Sequence, residues 1–113
     1  MAVTIYHNPR CGKSRDALAL LEKKGVRPKV VAYLTTPPSA AELKGILKML
    51  GMPARDLIRK KEAAEAGIAP DKMTDDQLIA AMVKTPILIE RPIVVAGNMA
   101  ALGRPPENVL KII

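Results

Sequence analysis

An α/β fold, with one mixed four-stranded sheet built from the two ends of the chain and an all-helical insert between them, is what these 113 residues predict. Three observations carry that expectation. Short apolar runs with a period of two, or rich in β-branched residues, occur before residue 34 and after residue 86. Two helix-start signatures fall in the stretch between them. The first two strand-like runs are joined through a single helix, the spacing of a parallel crossover.

Taken in order, "AVTIY" alternates Val3 and Ile5 with Thr4 and Tyr6 and stops at His7-Asn8-Pro9. From Cys11 onward Ala17, Leu20 and Leu21 share a helical face, and Gly25 follows Lys23 and Lys24 as a stop. "KVVAY" at 29 to 33 is the second strand. Pro37-Pro38 closes this βαβ unit, and Ser39 to Glu42 forms a capping box ahead of Leu43, Ile46, Leu47 and Leu50, closed by Gly51. Residues 54 to 66 are helix-forming and end at Gly67. "TDDQ", from Thr74 to Gln77, is a second capping box leading into Leu78, Ile79 and Met82.

After Thr85-Pro86 comes the β-branched run "ILIERPIVV", then Gly97-Asn98 and "MAAL", which together predict a hairpin. Pro105-Pro106 opens a final short helix, "ENVLKII", expected to cover the sheet with Val109, Leu110 and Ile113. The order is βαβ, a helical middle, then ββα. That is the layout of a thioredoxin-like fold, and such a sheet places ligand sites at the carboxyl ends of its parallel strands.

Composition narrows the function. A 49% hydrophobic content over this length supports a core for a single domain, 1–113, without staples. One cysteine excludes a disulfide scaffold and a thiolate zinc cage, and fits a reducing cytoplasmic setting. The N-terminus lacks the features of an export signal, and Glu90 and Arg91 break the most apolar later stretch, so no membrane insertion is expected. A net charge of +7 favours anionic partners. With no Phe or Trp and only Tyr6 and Tyr33, the stacking surfaces that nucleic-acid binders use are missing, which argues against nucleic acid.

Cys11 stands at the start of the first helix, where unpaired N–H groups and the helix dipole favour an anion. A thiol so placed, with cations nearby, becomes thiolate at neutral pH. His7, Arg10 and Arg15 are the local candidates for that help, and the Ser14 hydroxyl could donate to the sulfur or to an anion beside it. The alternative is a small buried hydrophobe. The polar setting "NPRCGKSR" favours the reactive reading. Ser14 rules out a C-x-x-C dithiol, and Ala17 occupies the position where cysteine-dependent phosphatases need arginine.

These residues resemble the glutaredoxin-coupled, ArsC-type arsenate reductases nearly end to end. "HNPxCxxSR" is met by His7, Asn8, Pro9, Cys11, Ser14 and Arg15; "LIRK" holds Arg59; "TDDQLI" follows; "PILIERPIVV" holds Arg91 before Pro92; and Arg104 precedes Pro105. The resemblance implies an oxidoreductase that reduces arsenate to arsenite in arsenic detoxification. Cys11 is then the nucleophile, assisted by His7, while Arg59, Arg91 and Arg104 bind the oxyanion together with Ser14 and Arg15. Pro92 matches the fold's usual cis-proline. No bound cofactor or metal is implied; glutathione is the cosubstrate and glutaredoxin the protein partner. Two alternatives stand beside this reading: a glutathione-dependent thiol reductase of another substrate, and a nonenzymatic adaptor resembling the regulator Spx, for which RNA polymerase would be the partner.

Overall fold

Strand β1 (Val3–His7) buries Val3, Ile5 and His7 and leaves Thr4 and Tyr6 only partly covered, as a period of two requires. The computed structural model describes residues 2–113, and the chain divides into two units, one from Met1–Thr36 and Arg91–Ile113, the other from Pro37–Glu90.

In the first unit, β1 leads into helix α1 (Gly12–Lys23) and on to strand β2 (Lys29–Ala32), which lies parallel to β1. Strand β3 (Ile93–Ala96) runs antiparallel to β1 on its other side, and strand β4 (Met99–Leu102) returns along β3. The sheet order is β2-β1-β3-β4, a mixed four-stranded sheet. This is the thioredoxin-like arrangement. Gly97 turns the β3–β4 hairpin with φ of 62°, a left-handed value that favours glycine.

Val3, Ile5, Val94 and Ala96 from the sheet pack with Ala17 and Leu21 of α1 and with Val109 and Ile112 near the C-terminus. Each large side chain buried this fully contributes about 1.5–3 kcal/mol. The last segment differs from expectation. Pro106–Ile112 winds as a 3₁₀ rather than an α-helix, so residues three apart stack, and Val109 and Ile112 point inward while Ile113 is exposed.

The second unit opens with α2 (Ala40–Leu50), whose capping box is formed: Ser39 Oγ accepts from the Glu42 N–H and Glu42 Oε1 from the Ser39 N–H, both at 3.1 Å. Thr74 and Gln77 cap α5 (Asp75–Lys84) in the same reciprocal way; α5 packs on α2. Between them the continuous helix expected over 54 to 66 is broken into α3 (Ala54–Leu57) and α4 (Lys60–Glu65).

The break has a long-range cause. Ile58 pairs with Ile89, the Arg59 N–H donates to the Leu88 carbonyl at 2.7 Å, and the Glu90 N–H donates to the Leu57 carbonyl at 2.9 Å. Those bonds need extended backbone at Ile58. Correspondingly, Pro86–Leu88 forms a 3₁₀ turn, and regular strand begins only at Ile93.

Candidate active site

The loop from β1 to α1 is cross-tied by nearly every polar group it carries. Asn8 Oδ1 accepts from the Arg10 N–H at 3.0 Å, and the Asn8 carbonyl accepts from the Cys11 N–H at 3.0 Å. The Asn8 N–H donates to Ser14 Oγ at 3.0 Å, and Arg15 Nη1 donates to the Pro9 carbonyl at 2.8 Å. These bonds hold Cys11 in extended backbone (φ −92°, ψ 121°) as the residue that caps α1. Its thiol is free and half-buried.

Two arginines from the far end of the sequence meet that sulfur. Arg91 hydrogen-bonds to it. Arg104 brings Nη2 to 4.0 Å from Sγ, while its Nε donates to the Arg91 carbonyl at 3.0 Å, so one guanidinium braces the backbone that carries the other. Asn108 Nδ2 in turn donates to the Arg104 carbonyl at 3.0 Å. The peptide bonds Arg91–Pro92 and Arg104–Pro105 are both cis.

Burial pushes the Cys11 thiol up, since a thiolate loses hydration there. The Ser14 backbone N–H, the hydrogen bond and charge of Arg91, and the Lys13 backbone N–H act the other way and outweigh it, so the thiol ionises below its ordinary value. No bond of full capping geometry closes onto the sulfur, yet these N–H groups lie near enough to favour its anion. The site therefore favours the thiolate more than water does.

His7 sits elsewhere in this network. Its Nδ1 lies 2.6 Å from Ser14 Oγ. Ser14 is fully buried and its Oγ also accepts from the Asn8 N–H, so the hydroxyl that meets the imidazole is the one that ties the loop. Burial, then the charge of Arg15, lowers the His7 pKa. His7 is thus neutral at neutral pH and adds no positive charge to the site. Ser14 serves the sulfur through its backbone, because its hydroxyl is committed to His7 and Asn8.

Arg59 belongs to the Pro37–Glu90 unit. Its Nε pairs with Glu62 Oε2 at 3.0 Å and its Nη1 with Glu90 Oε1 at 2.7 Å, which raises its pKa despite burial. Among the described residues, no group of three or more His, Cys, Asp or Glu could hold a metal.

Gly103 is the supporting residue that the sequence did not disclose. A Cβ added there would lie 2.6 Å from Pro92 Cγ and 3.1 Å from its Cδ, in the ring that follows Arg91. Gly103→Ala is expected to cost about 1–3 kcal/mol of stability by overpacking. Urea denaturation measures that loss, and an unchanged midpoint would mean that the ring moves aside freely.

A family model described as the ArsC family matches residues 6–112. The chain is 54% identical to "Uncharacterized protein YfgD" of Escherichia coli K12, over 98% of this chain and 96% of that one. It is 49% identical to an arsenate reductase of Escherichia coli, covering 98% of this chain and 80% of the relative. The solved structure of an arsenate reductase from Vibrio cholerae superposes with a TM-score of 0.90 at 48% identity, covering 100% of this chain and 98% of that one.

Proposed function

Because this chain belongs to the ArsC family, we propose that it reduces arsenate to arsenite at Cys11, with glutathione and glutaredoxin as external reductants. The observation that carries the reading is the sulfur itself: a thiol biased to thiolate, with Arg91 bonded to it and Arg104 at 4.0 Å. Guanidinium groups present paired planar donors that fit a tetrahedral oxyanion and stay charged at any working pH.

The Cys11 thiolate attacks arsenic and a first oxygen leaves as water. Glutathione displaces a second oxygen, giving an arsenic bonded to both sulfurs. A glutaredoxin thiolate then takes the glutathionyl sulfur, and the electron pair of that As–S bond stays on arsenic as As(III). Water releases arsenite and restores Cys11. Two electrons are needed, and the single cysteine of this chain cannot close an internal disulfide to supply them.

Arg91 and Arg104 hold the anion through these steps, with the α1 N–H groups sharing its charge. Arg15 fixes the loop through Pro9 and adds its charge to the burial that lowers the His7 pKa. Arg59, expected as a further anion ligand, is engaged by Glu62 and Glu90 within the Pro37–Glu90 unit. A reducing cytoplasm suits a thiol of this kind, and no helix of the described residues is long and apolar enough to cross a membrane.

Arsenite formation tests the reading. With arsenate, glutathione and glutaredoxin all present, turnover is expected, and omission of the thiols should leave none. Efficient turnover with thioredoxin alone would overturn the mechanism; no arsenite under any condition would overturn the substrate.

A further inference from the structure

Arg104 reaches the sulfur on a long side chain, so its guanidinium is placed only as well as the backbone beneath it. The side chain does two things at once: Nε donates to the Arg91 carbonyl, and Nη2 comes to 4.0 Å from Cys11 Sγ. The backbone is gripped on both sides. The Arg104 N–H donates to the Leu102 carbonyl in β4 at 2.9 Å, and the Arg104 carbonyl accepts from Asn108 Nδ2 at 3.0 Å. A carbonyl only accepts, which orients the amide with its nitrogen toward Arg104. The Asn108 N–H also donates to the Pro105 carbonyl at 3.0 Å. Asn108 itself stands on anchored chain, because the next residue, Val109, is fully buried and packs with Ile112 against the sheet and α1.

We propose that Asn108 is a positioning residue for oxyanion binding: by holding the Arg104 carbonyl it fixes where the Arg104 guanidinium sits relative to Arg91 and Cys11. The proposal rests on the oxyanion reading argued above and adds a residue that lies outside the cysteine motif. Asn108 does not meet the anion. The grip on the N–H side of Arg104 is main chain to main chain and survives any substitution of a side chain. The grip on the carbonyl side depends on one amide. Without it that carbonyl turns to water, the segment between β4 and Val109 gains freedom, and the brace under Arg91 loosens with the group beside the sulfur.

A misplacement of about 1 Å in a positioned group costs up to about 10²-fold, so the loss of this one bond is expected to cost about tenfold in anion affinity. The test needs no arsenic. Sulfate, a tetrahedral oxyanion that the thiolate does not reduce, is added at constant ionic strength, and its protection of Cys11 against iodoacetamide is measured. Alkylation joins the sulfur to the acetamide carbon and expels iodide, and an anion seated between the arginines slows it.

Asn108→Ala and the similarly sized Asn108→Leu, neither with an N–H to donate from its side chain, should each weaken protection about tenfold. Ile112→Val, which loosens the same segment from the core without touching Arg104, should lower the urea midpoint and leave protection at the wild-type level. In an Arg104→Ala background, Asn108→Ala should cost less than about twofold, because a residue that acts through Arg104 then has nothing to position. Wild-type protection in the Asn108 variants, an equal loss in Ile112→Val, or the full tenfold cost without Arg104 would overturn the proposal. If the wild type made no arsenite but sulfate protection followed this pattern, the arsenate reading would fail and the role of Asn108 would stand. If sulfate gave the wild type no protection, that role would fall together with the oxyanion cradle.

Discussion

Replacing Cys11 with serine removes arsenite formation, a loss on the order of 10⁴-fold or more, because a hydroxyl at that position stays protonated and cannot attack arsenic at neutral pH. The fold should survive. Serine is among the preferred helix-capping residues, whereas the cysteine makes no side-chain cap bond to α1, so the variant should match or exceed the wild type in thermal stability. The two readouts together make the test decisive: a well-folded protein with no turnover identifies Cys11 as the nucleophile. A well-folded variant keeping more than about a hundredth of the rate would place the chemistry on another residue.

Arg91→Lys should cost about 10²-fold in kcat/KM, the scale on which single oxyanion donors act. The substitution keeps the charge and loses the planar fork, so the loss reports bidentate binding rather than basicity. It also moves the thiol. Arg91 lowers the Cys11 pKa by hydrogen bond and by charge, and lysine replaces the second in part and the first poorly. The acid limb of the rate profile should therefore shift to higher pH, and thiolate absorbance should follow it.

The sign carries over to stability. With the folded-state pKa held below the unfolded value of about 8.5, the unfolded chain binds more protons between the two. The thiolate's contribution is thus fully present above the unfolded pKa and is lost as pH falls through the folded one. In Arg91→Lys this window narrows. An unaltered titration with full activity would dismiss Arg91 from the site.

Much of this architecture was legible because its signals are local. Alternation marked β1, reciprocal Ser39–Glu42 and Thr74–Gln77 bonds marked two helix starts, and Gly97-Asn98 marked the hairpin. What could not be read depends on partners distant in sequence. The helix expected across 54 to 66 breaks because Ile58 pairs with Ile89, and no helix propensity records that. The 3₁₀ winding of Pro106–Ile112 moves burial from Ile113 to Ile112.

In the site, the motif drew attention to the cations adjacent to Cys11, whereas the charge acting on the sulfur comes from Arg91. Sequence neighbours of a helix start point away from it as readily as toward it. His7 belongs to the buried Ser14 network for a related reason. It continues the inward series of Val3 and Ile5 along β1, which aims its ring at the covered face.

The order in which the pieces emerge during synthesis separates the thiol from the guanidinium groups that act on it. β1 and the Cys11 loop are made first, but their sheet neighbour β3 and both sulfur-facing arginines lie in Arg91–Ile113, after the whole Pro37–Glu90 unit. A nascent chain released in that order carries a thiol that still lacks the guanidinium groups favouring its anion. Until the last segment docks, Cys11 lacks the hydrogen bond and charge of Arg91, two of the influences that hold its pKa down in the folded protein. A chain that ends before Arg91 carries the thiol without the two guanidinium groups that meet it in the folded protein.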